Sequence, residues 1–165
     1  MTQIPNFAKV DGRVWRGARP DAAGAMWLGQ QGIRTVINLE WEQKDATSVW
    51  RPINVEKLPI NLVRVRDFEP LPFFASSLED RHVIRALRAI EAGPAIVYVH
   101  CRSGQNRTGV VVAAYRIILS RWSSDAALDE FAKFRGWWAW ADAGYIRSIA
   151  EPSRLEWFRA MVAAV

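Results

Sequence analysis

The architecture of this chain is indicated by one continuous stretch, Ala95-Ile96-Val97-Tyr98-Val99-His100-Cys101-Arg102-Ser103-Gly104-Gln105-Asn106-Arg107-Thr108-Gly109. It begins with a short apolar run typical of a buried strand, and a long helical pattern follows it. Between the two lies the pattern Cys-x5-Arg, which links Cys101, the only cysteine, to Arg107. A helix N-terminus binds oxyanions because its backbone N–H groups are unpaired and carry partial positive charge. The stretch therefore predicts a phosphate loop with a thiolate at its base.

The residue types of this loop suit phosphate chemistry. Gly104 allows the positive φ that a tight anion-binding turn requires. The planar guanidinium of Arg107 can hold two phosphoryl oxygens at once. The same positive field favours thiolate over thiol, so Cys101 is the predicted nucleophile. We expect Thr108 to hydrogen-bond the sulfur and His100 to support the loop backbone.

The remaining loop residues are predicted to bind substrate together with Gly104 and Thr108: Arg102, Ser103, Gln105 and Asn106. Arg102 suits either an additional substrate phosphate or plain exposure to water. Asn106 suits a water-positioning role, but a hydrogen bond at the helix start is the favoured interpretation. A single buried cysteine is usually an inert small hydrophobe. That alternative fails here because strand, cysteine, glycine, arginine, hydroxyl and helix all occur at the required spacing.

The pattern formed by His100, Cys101, Gly104, Arg107 and Thr108 resembles the signature His-Cys-x-x-Gly-x-x-Arg-Ser/Thr of cysteine-based protein tyrosine phosphatases. The similarity is greatest to the compact dual-specificity branch. Residues 14–20 and 32–39 resemble the opening of small bacterial and atypical members, so the resemblance covers most of residues 10–135.

This resemblance implies a metal-free phosphomonoester hydrolase that forms a cysteinyl-phosphate intermediate and needs no cofactor. It implies phosphotyrosine, phosphoserine or phosphothreonine proteins as substrates. An inositol polyphosphate or another small phosphorylated metabolite is the alternative substrate. A phosphate-binding module without turnover is the alternative from another class of protein.

A second catalytic group is expected, because an alkoxide leaving group needs a proton. The candidates are Asp67, Glu69 and Asp80. Asp67 ends a predicted strand at the same sheet edge as Cys101 and lies 34 residues before it, a separation similar to that in the family. Asp67 is therefore the predicted general acid, and Glu69 stays open as the alternative. Asp80 is predicted to cap a helix instead.

Alternating apolar runs and amphipathic patterns predict an α/β fold. It is a single domain with a mostly parallel central sheet of four to five strands, helices on both faces, and the phosphate loop between the last core strand and a helix. The predicted strands are 14–16, 35–39, 61–66 and 95–100. The predicted helices are 21–31, 77–92, 107–121 and one capped by Ser123 or Ser124.

The predicted domain is 1–165, with a core over about 10–135 and a C-terminal helical extension over about 136–165. An amphipathic helix over 154–164 is expected to dock on the domain. The tryptophan-rich segment 136–140 is expected to pack beneath it. Arg16 and Arg19 suit either the rim of the pocket or ion pairs near the first turn.

Composition narrows the class of protein. The net charge of +5 comes from 22 basic and 17 acidic residues, and it is dispersed, which suits anionic substrates but predicts no nucleic-acid partner. The longest apolar run, 110–115, is too short to span a bilayer. A single cysteine and the absence of a signal-peptide pattern predict a cytoplasmic protein. No metal-ligand spacing is present, and no oligomeric state is indicated.

Overall fold

A five-stranded sheet forms the centre of the structure, a computed structural model that describes residues 4–41, 49–50, 59–66, 76–134, 136 and 139–164. Its strands are β1 Ala8–Lys9, β2 Val14–Ala18, β3 Ile33–Asn38, β4 Asn61–Arg64 and β5 Ile96–Cys101. They lie in the order β1-β2-β5-β3-β4, and only the edge strand β1 is antiparallel. The predicted mostly parallel sheet is confirmed. β1 was not predicted, since two residues are too few to produce a periodic pattern.

Helices cover both faces of the sheet, as predicted. They are α1 Ala22–Gln30, α2 Ser76–Ala92, α3 Asn106–Ile118, α4 Ser124–Ala132, α5 Ala139–Ile149 and α6 Pro152–Ala163. Tyr98 of β5 packs on the α1 side, whereas Val97 and Val99 pack on the side of the other helices. α3 is buried over most of its length, because it lies between the sheet and the outer helices.

Side-chain caps fix two of the predicted helix starts. The Asp21 carboxylate accepts the N–H of Gly24 at 2.7 Å and begins α1. The Ser123 hydroxyl accepts the N–H of Ala126 at 3.2 Å, so Ser123, and not Ser124, caps α4. The prediction for Asp80 is wrong. The helix begins at Ser76, so Asp80 lies in its second turn, and its carboxylate accepts hydrogen bonds from Tyr145 and Arg154 of other helices.

Several predicted boundaries shift by a few residues. β2 extends to Ala18, and β4 ends at Arg64 instead of residue 66. α3 ends at Ile118 instead of residue 121, where Arg121 takes a left-handed φ of +61° that a helix cannot contain.

The C-terminal helices dock on the domain, as the sequence predicts for the tail. Phe158 and Val162 of α6 are buried in the same apolar cluster as the α2 side chains. The Asp80 carboxylate joins the two regions, accepting from Arg154 Nη2 at 2.8 Å and from the Tyr145 hydroxyl at 2.8 Å. α5 and α6 are therefore part of one core with the sheet.

The packing expected for the tryptophan-rich segment is wrong where the structure describes it. Trp140 is 64% exposed. Trp137 and Trp138 lie outside the described residues. Within the described ranges, no helix combines the length and apolar character needed to cross a membrane.

Candidate active site

Parallel strand pairing brings the candidate residues to one edge of the sheet. β5 lies between β2 and β3, and Cys101 at its end pairs with Ala18, while His100 pairs with Asn38. α3 starts at Asn106, so the phosphate loop, residues 101–107, connects a strand end to a helix N-terminus. Cys101 is 1% exposed and lies at the base of this loop. Ligands bind at such an edge in open α/β sheets.

The carbonyl groups of the phosphate loop are bonded on the side away from the anion site. Three accept hydrogen bonds from the N-terminal segment: Arg102 from Arg19 N at 3.3 Å, Ser103 from Asn6 Nδ2 at 2.8 Å, and Gly104 from Arg16 Nη2 at 2.6 Å. The next carbonyl, that of Gln105, accepts the first hydrogen bond of α3, from Gly109 N at 2.7 Å. The described peptide bonds are all trans, so each N–H points away from the carbonyl of its own peptide unit. The N–H groups of the loop therefore point into the concave side of the loop, above Cys101, where an oxyanion binds.

Gly104 adopts the conformation that the sequence predicts. Its φ is +72°, in the left-handed region that glycine favours. A Cβ at this position would lie 2.3 Å from the Gly17 carbonyl carbon and 2.4 Å from the Ala18 nitrogen. Position 104 thus requires glycine for two reasons, the backbone angle and the close approach of β2.

Arg107 lies in the first turn of α3, partly buried, and its Nη1 donates to the Leu39 carbonyl at 3.3 Å. This contact anchors the guanidinium beside the loop, at the end of β3. The Thr108 hydroxyl is buried and has no hydrogen-bond partner among the described residues. The bond from Thr108 to the sulfur, which the sequence predicts, is therefore not formed in this structure.

The other loop residues divide into two groups. Arg102 and Ser103 are exposed at the outer part of the loop. Gln105 and Asn106 are partly buried, and Asn106 Oδ1 accepts the N–H of Gly136 at 2.9 Å. That contact holds Gly136 at the start of α3. The helix-start bond expected for Asn106 stays a prediction.

His100 is enclosed behind the loop. Its ring stacks on Tyr98 with centroids 5.7 Å apart, and its Nδ1 lies 3.4 Å from the Cys101 carbonyl oxygen. Glu40 Oε1 lies 3.8 Å from the same nitrogen, and Glu40 Oε2 accepts from Arg19 Nη1 at 3.2 Å. These contacts fit the loop-supporting role expected of His100.

Sequence reasoning missed one residue at this edge, Glu40, and neither surrounding expected for Arg16, the pocket rim or an ion pair, is observed among the described residues. Glu40 is a buried carboxylate directly after β3, and an acidic residue following a buried strand was the available signal. Arg16 is 1% exposed beneath the loop and so lines no rim. An arginine in a strand that is otherwise apolar or glycine was the available signal for it. For Arg19, the ion-pair interpretation is the one observed.

The predicted acids Asp67 and Glu69 lie outside the described residues. They follow β4, whose end at Arg64 pairs with Asn38 at the same sheet edge as the loop. Among the residues described, no group of three His, Cys, Asp or Glu side chains is placed to hold a metal ion.

Comparison with known proteins gives one consistent family. The family model described as DSP-PTPase phosphatase fused to NAD+ kinase matches residues 1–135. The dual specificity protein phosphatase TpbA of Pseudomonas aeruginosa strain UCBPP-PA14 is 33% identical over 129 residues, which are 78% of this chain and 54% of that protein. The rat phosphatidylglycerophosphatase and protein-tyrosine phosphatase 1 is 32% identical over 135 residues, 78% of this chain and 67% of that protein.

A solved structure shares the architecture. The crystal structure of P. aeruginosa TpbA superposes with a TM-score of 0.75 and 23% identity, covering 96% of this chain and 91% of that one. At this identity the structural likeness concerns the fold. The sequence match spans about half the length of the TpbA protein.

Proposed function

The chain belongs to the DSP-PTPase phosphatase family, and we propose that it is a cysteine-dependent phosphomonoester hydrolase. One observation carries the proposal. Cys101 lies at the base of a loop whose carbonyl groups are bonded outward, with Arg107 anchored beside it. Such a loop binds a dianionic phosphate through backbone amides and a guanidinium while presenting sulfur to phosphorus.

The first chemical step transfers the phosphoryl group to sulfur. The Cys101 thiolate attacks phosphorus, the S–P bond forms, and the P–O bond to the leaving alcohol breaks. Arg107 and the loop amides hold the equatorial oxygens, where charge is greatest in the transition state. A general acid donates a proton to the leaving oxygen. We propose Asp67 for this role, with Glu69 as the alternative.

The second step releases phosphate. Water attacks phosphorus, the S–P bond breaks, and the carboxylate left by the first step accepts the proton from water. Inorganic phosphate leaves and the thiolate is restored. Neither step calls on a metal ion or a cofactor.

We propose phosphorylated tyrosine, serine or threonine in proteins as the substrate. The name of the TpbA relative, dual specificity protein phosphatase, supports this class. A small phosphorylated molecule is the second candidate, because the rat relative is named for a lipid phosphate as well as for phosphotyrosine. Arg102, exposed in the loop, suits a further anionic group on either substrate. We place the activity in one domain, 1–165, and its cytoplasmic location stays a prediction.

The proposal is tested by turnover of p-nitrophenyl phosphate and by phosphate release from phosphopeptides, inositol phosphates and phospholipids. Cys101→Ser is expected to abolish turnover and to retain phosphate binding, because the loop amides and Arg107 remain. Turnover should persist in EDTA. Phosphate binding without turnover of any substrate by the wild-type chain would indicate a phosphate-binding module instead.

A further inference from the structure

Arg16 is a cation buried behind the phosphate loop without a carboxylate. Its side chain is 1% exposed, and within the described part of the chain no Asp or Glu lies at ion-pair distance from it. Nη2 donates to the carbonyls of Gly104 at 2.6 Å and Gln105 at 3.4 Å. Nε and Nη1 are buried and have no hydrogen-bond partner among the residues that the structure describes. This is unusual, since a buried charge is normally paired.

The surroundings of Arg16 fix the plane of its guanidinium. Its central carbon lies 4.1 Å from the centroid of the Phe134 ring, so the group is held between that ring and the loop. α3 and α4 approach closely at this point, where a Cβ on Gly109 would lie 2.5 Å from Phe131. A planar, stacked guanidinium fits this slot, whereas an ammonium group does not stack in the same way.

Among the described residues no carboxylate pairs directly with Arg16, although Cys101 and, beyond ion-pair distance, Glu130 favour its charge. Burial lowers its pKa to about 10, and the nearby Cys101 opposes that effect. At neutral pH Arg16 therefore remains a cation, and Cys101 is among the groups that favour its charge. A bound phosphate on the other side of the loop would supply further negative charge.

We propose that Arg16 is a positioning residue of the phosphate loop, which holds two loop carbonyls outward and supplies buried positive charge that the bound phosphate balances. The inference rests on the proposed function, because it concerns the same oxyanion site. Arg16 acts through the loop and does not touch the substrate. Its effect is to orient the amides of Gln105 and Asn106 before phosphate arrives.

The test compares Arg16→Met and Arg16→Lys with a matched control, Arg116→Met. Arg116 is also a buried arginine that donates to a backbone carbonyl, that of Val10 at 2.6 Å, and stacks on an aromatic ring, that of Trp122 at 4.0 Å. It does not contact the loop, and unlike Arg16 it is paired with a carboxylate, Glu130, at 2.8 Å. Orthovanadate affinity, kcat and KM for p-nitrophenyl phosphate, and thermal unfolding are measured for each variant.

Arg16→Met is expected to weaken vanadate binding by about 5- to 150-fold, the usual size of a coupling between a ligand and a group that acts on its site without touching it. Arg16→Lys keeps the charge but loses the planar set of N–H donors of the guanidinium. A loss of vanadate affinity of about 3- to 10-fold is therefore expected. In both variants kcat/KM should fall with the vanadate affinity. Arg116→Met should unfold at a lower temperature and keep wild-type affinity.

Wild-type vanadate affinity in folded Arg16→Met would overturn the inference, and so would an equal loss of affinity in Arg116→Met. If Arg16→Met does not fold, Arg16→Lys decides the matter, and wild-type affinity in that variant would likewise overturn it. Failure of the proposed function gives a different result. The wild-type chain would then turn over no phosphomonoester, while the vanadate comparison between variants would still be measurable.

Discussion

Gly104→Ala offers a direct test of how the phosphate loop is built. Alanine at φ +72° costs about 1–2 kcal/mol, because the left-handed region places Cβ against the following carbonyl. The new Cβ would also lie 2.3 Å from backbone of β2, and such overpacking typically costs about 1–3 kcal/mol. The free energy of unfolding should therefore fall by about 2–5 kcal/mol in total. Since β2 backbone cannot move independently of the sheet, the loop must shift and lose its anion geometry.

Gly32→Ala is the matched control. Gly32 also has a positive φ, +95°, but a Cβ there would meet only the end of the Ile96 side chain, at 3.8 Å. The control should lose only the backbone contribution of about 1–2 kcal/mol and keep phosphate affinity. Urea unfolding gives the free energies, and inhibition of p-nitrophenyl phosphate turnover by inorganic phosphate gives the affinities. If Gly104→Ala loses no more stability than Gly32→Ala and binds phosphate equally well, the close approach of β2 does not shape the loop.

Three further outcomes are expected. Asp67→Asn should reduce turnover of alkyl phosphates by about 10²–10⁴, and far less for a leaving group that needs no proton; if Glu69→Gln shows this contrast instead, Glu69 is the acid. Phe158→Ala should lower the free energy of unfolding by about 3–5 kcal/mol in urea titrations, because the ring is fully buried between α6 and the core; a negligible loss would mean that α6 does not belong to the folding unit. Burial would raise the pKa of Asp11, but backbone N–H donors and a tyrosine hydroxyl outweigh it and hold the pKa below its usual value. Asp11→Asn should therefore lower the free energy of unfolding at neutral pH, and the difference from wild type should shrink as the pH falls through the folded pKa. A difference independent of pH would contradict this.

The sheet and the loop were predictable because each depends on a local pattern. The apolar run before Cys101 and the glycine at position 104 specify strand and turn within a few residues of chain. The position of Arg16 depends instead on strand pairing between residues 83 positions apart in sequence, Arg16 and Val99. No short sequence pattern indicates that Arg16, the third residue of β2, lies beneath the loop that follows β5.

The dependence on contacts between residues far apart in sequence also explains the wrong prediction for Asp80 and the exposure of Trp140. A serine followed by an aspartate three residues later matches a capping pattern, but the hydrogen bonds from Arg154 and Tyr145 to Asp80 depend on helices that follow 65 or more residues later. An aromatic-rich segment usually indicates burial, yet the first turn of α5 presents Trp140 to solvent. Tertiary contacts decided both cases.

The arginine content of the chain has a structural explanation that its composition alone did not reveal. Arginines satisfy carbonyl groups at the ends of several helices: Arg13 at α2, Arg34 at α1, Arg88 at α6 and Arg159 at α3. The last carbonyls of a helix lack intrahelical partners and carry partial negative charge, so a guanidinium fork suits them. Arg16 likewise donates to backbone carbonyl groups, those of Gly104 and Gln105 in the phosphate loop. Part of the positive charge of the described residues thus binds backbone carbonyl groups of the chain itself, while Arg102 and Arg107 lie in the loop proposed to bind an anionic substrate.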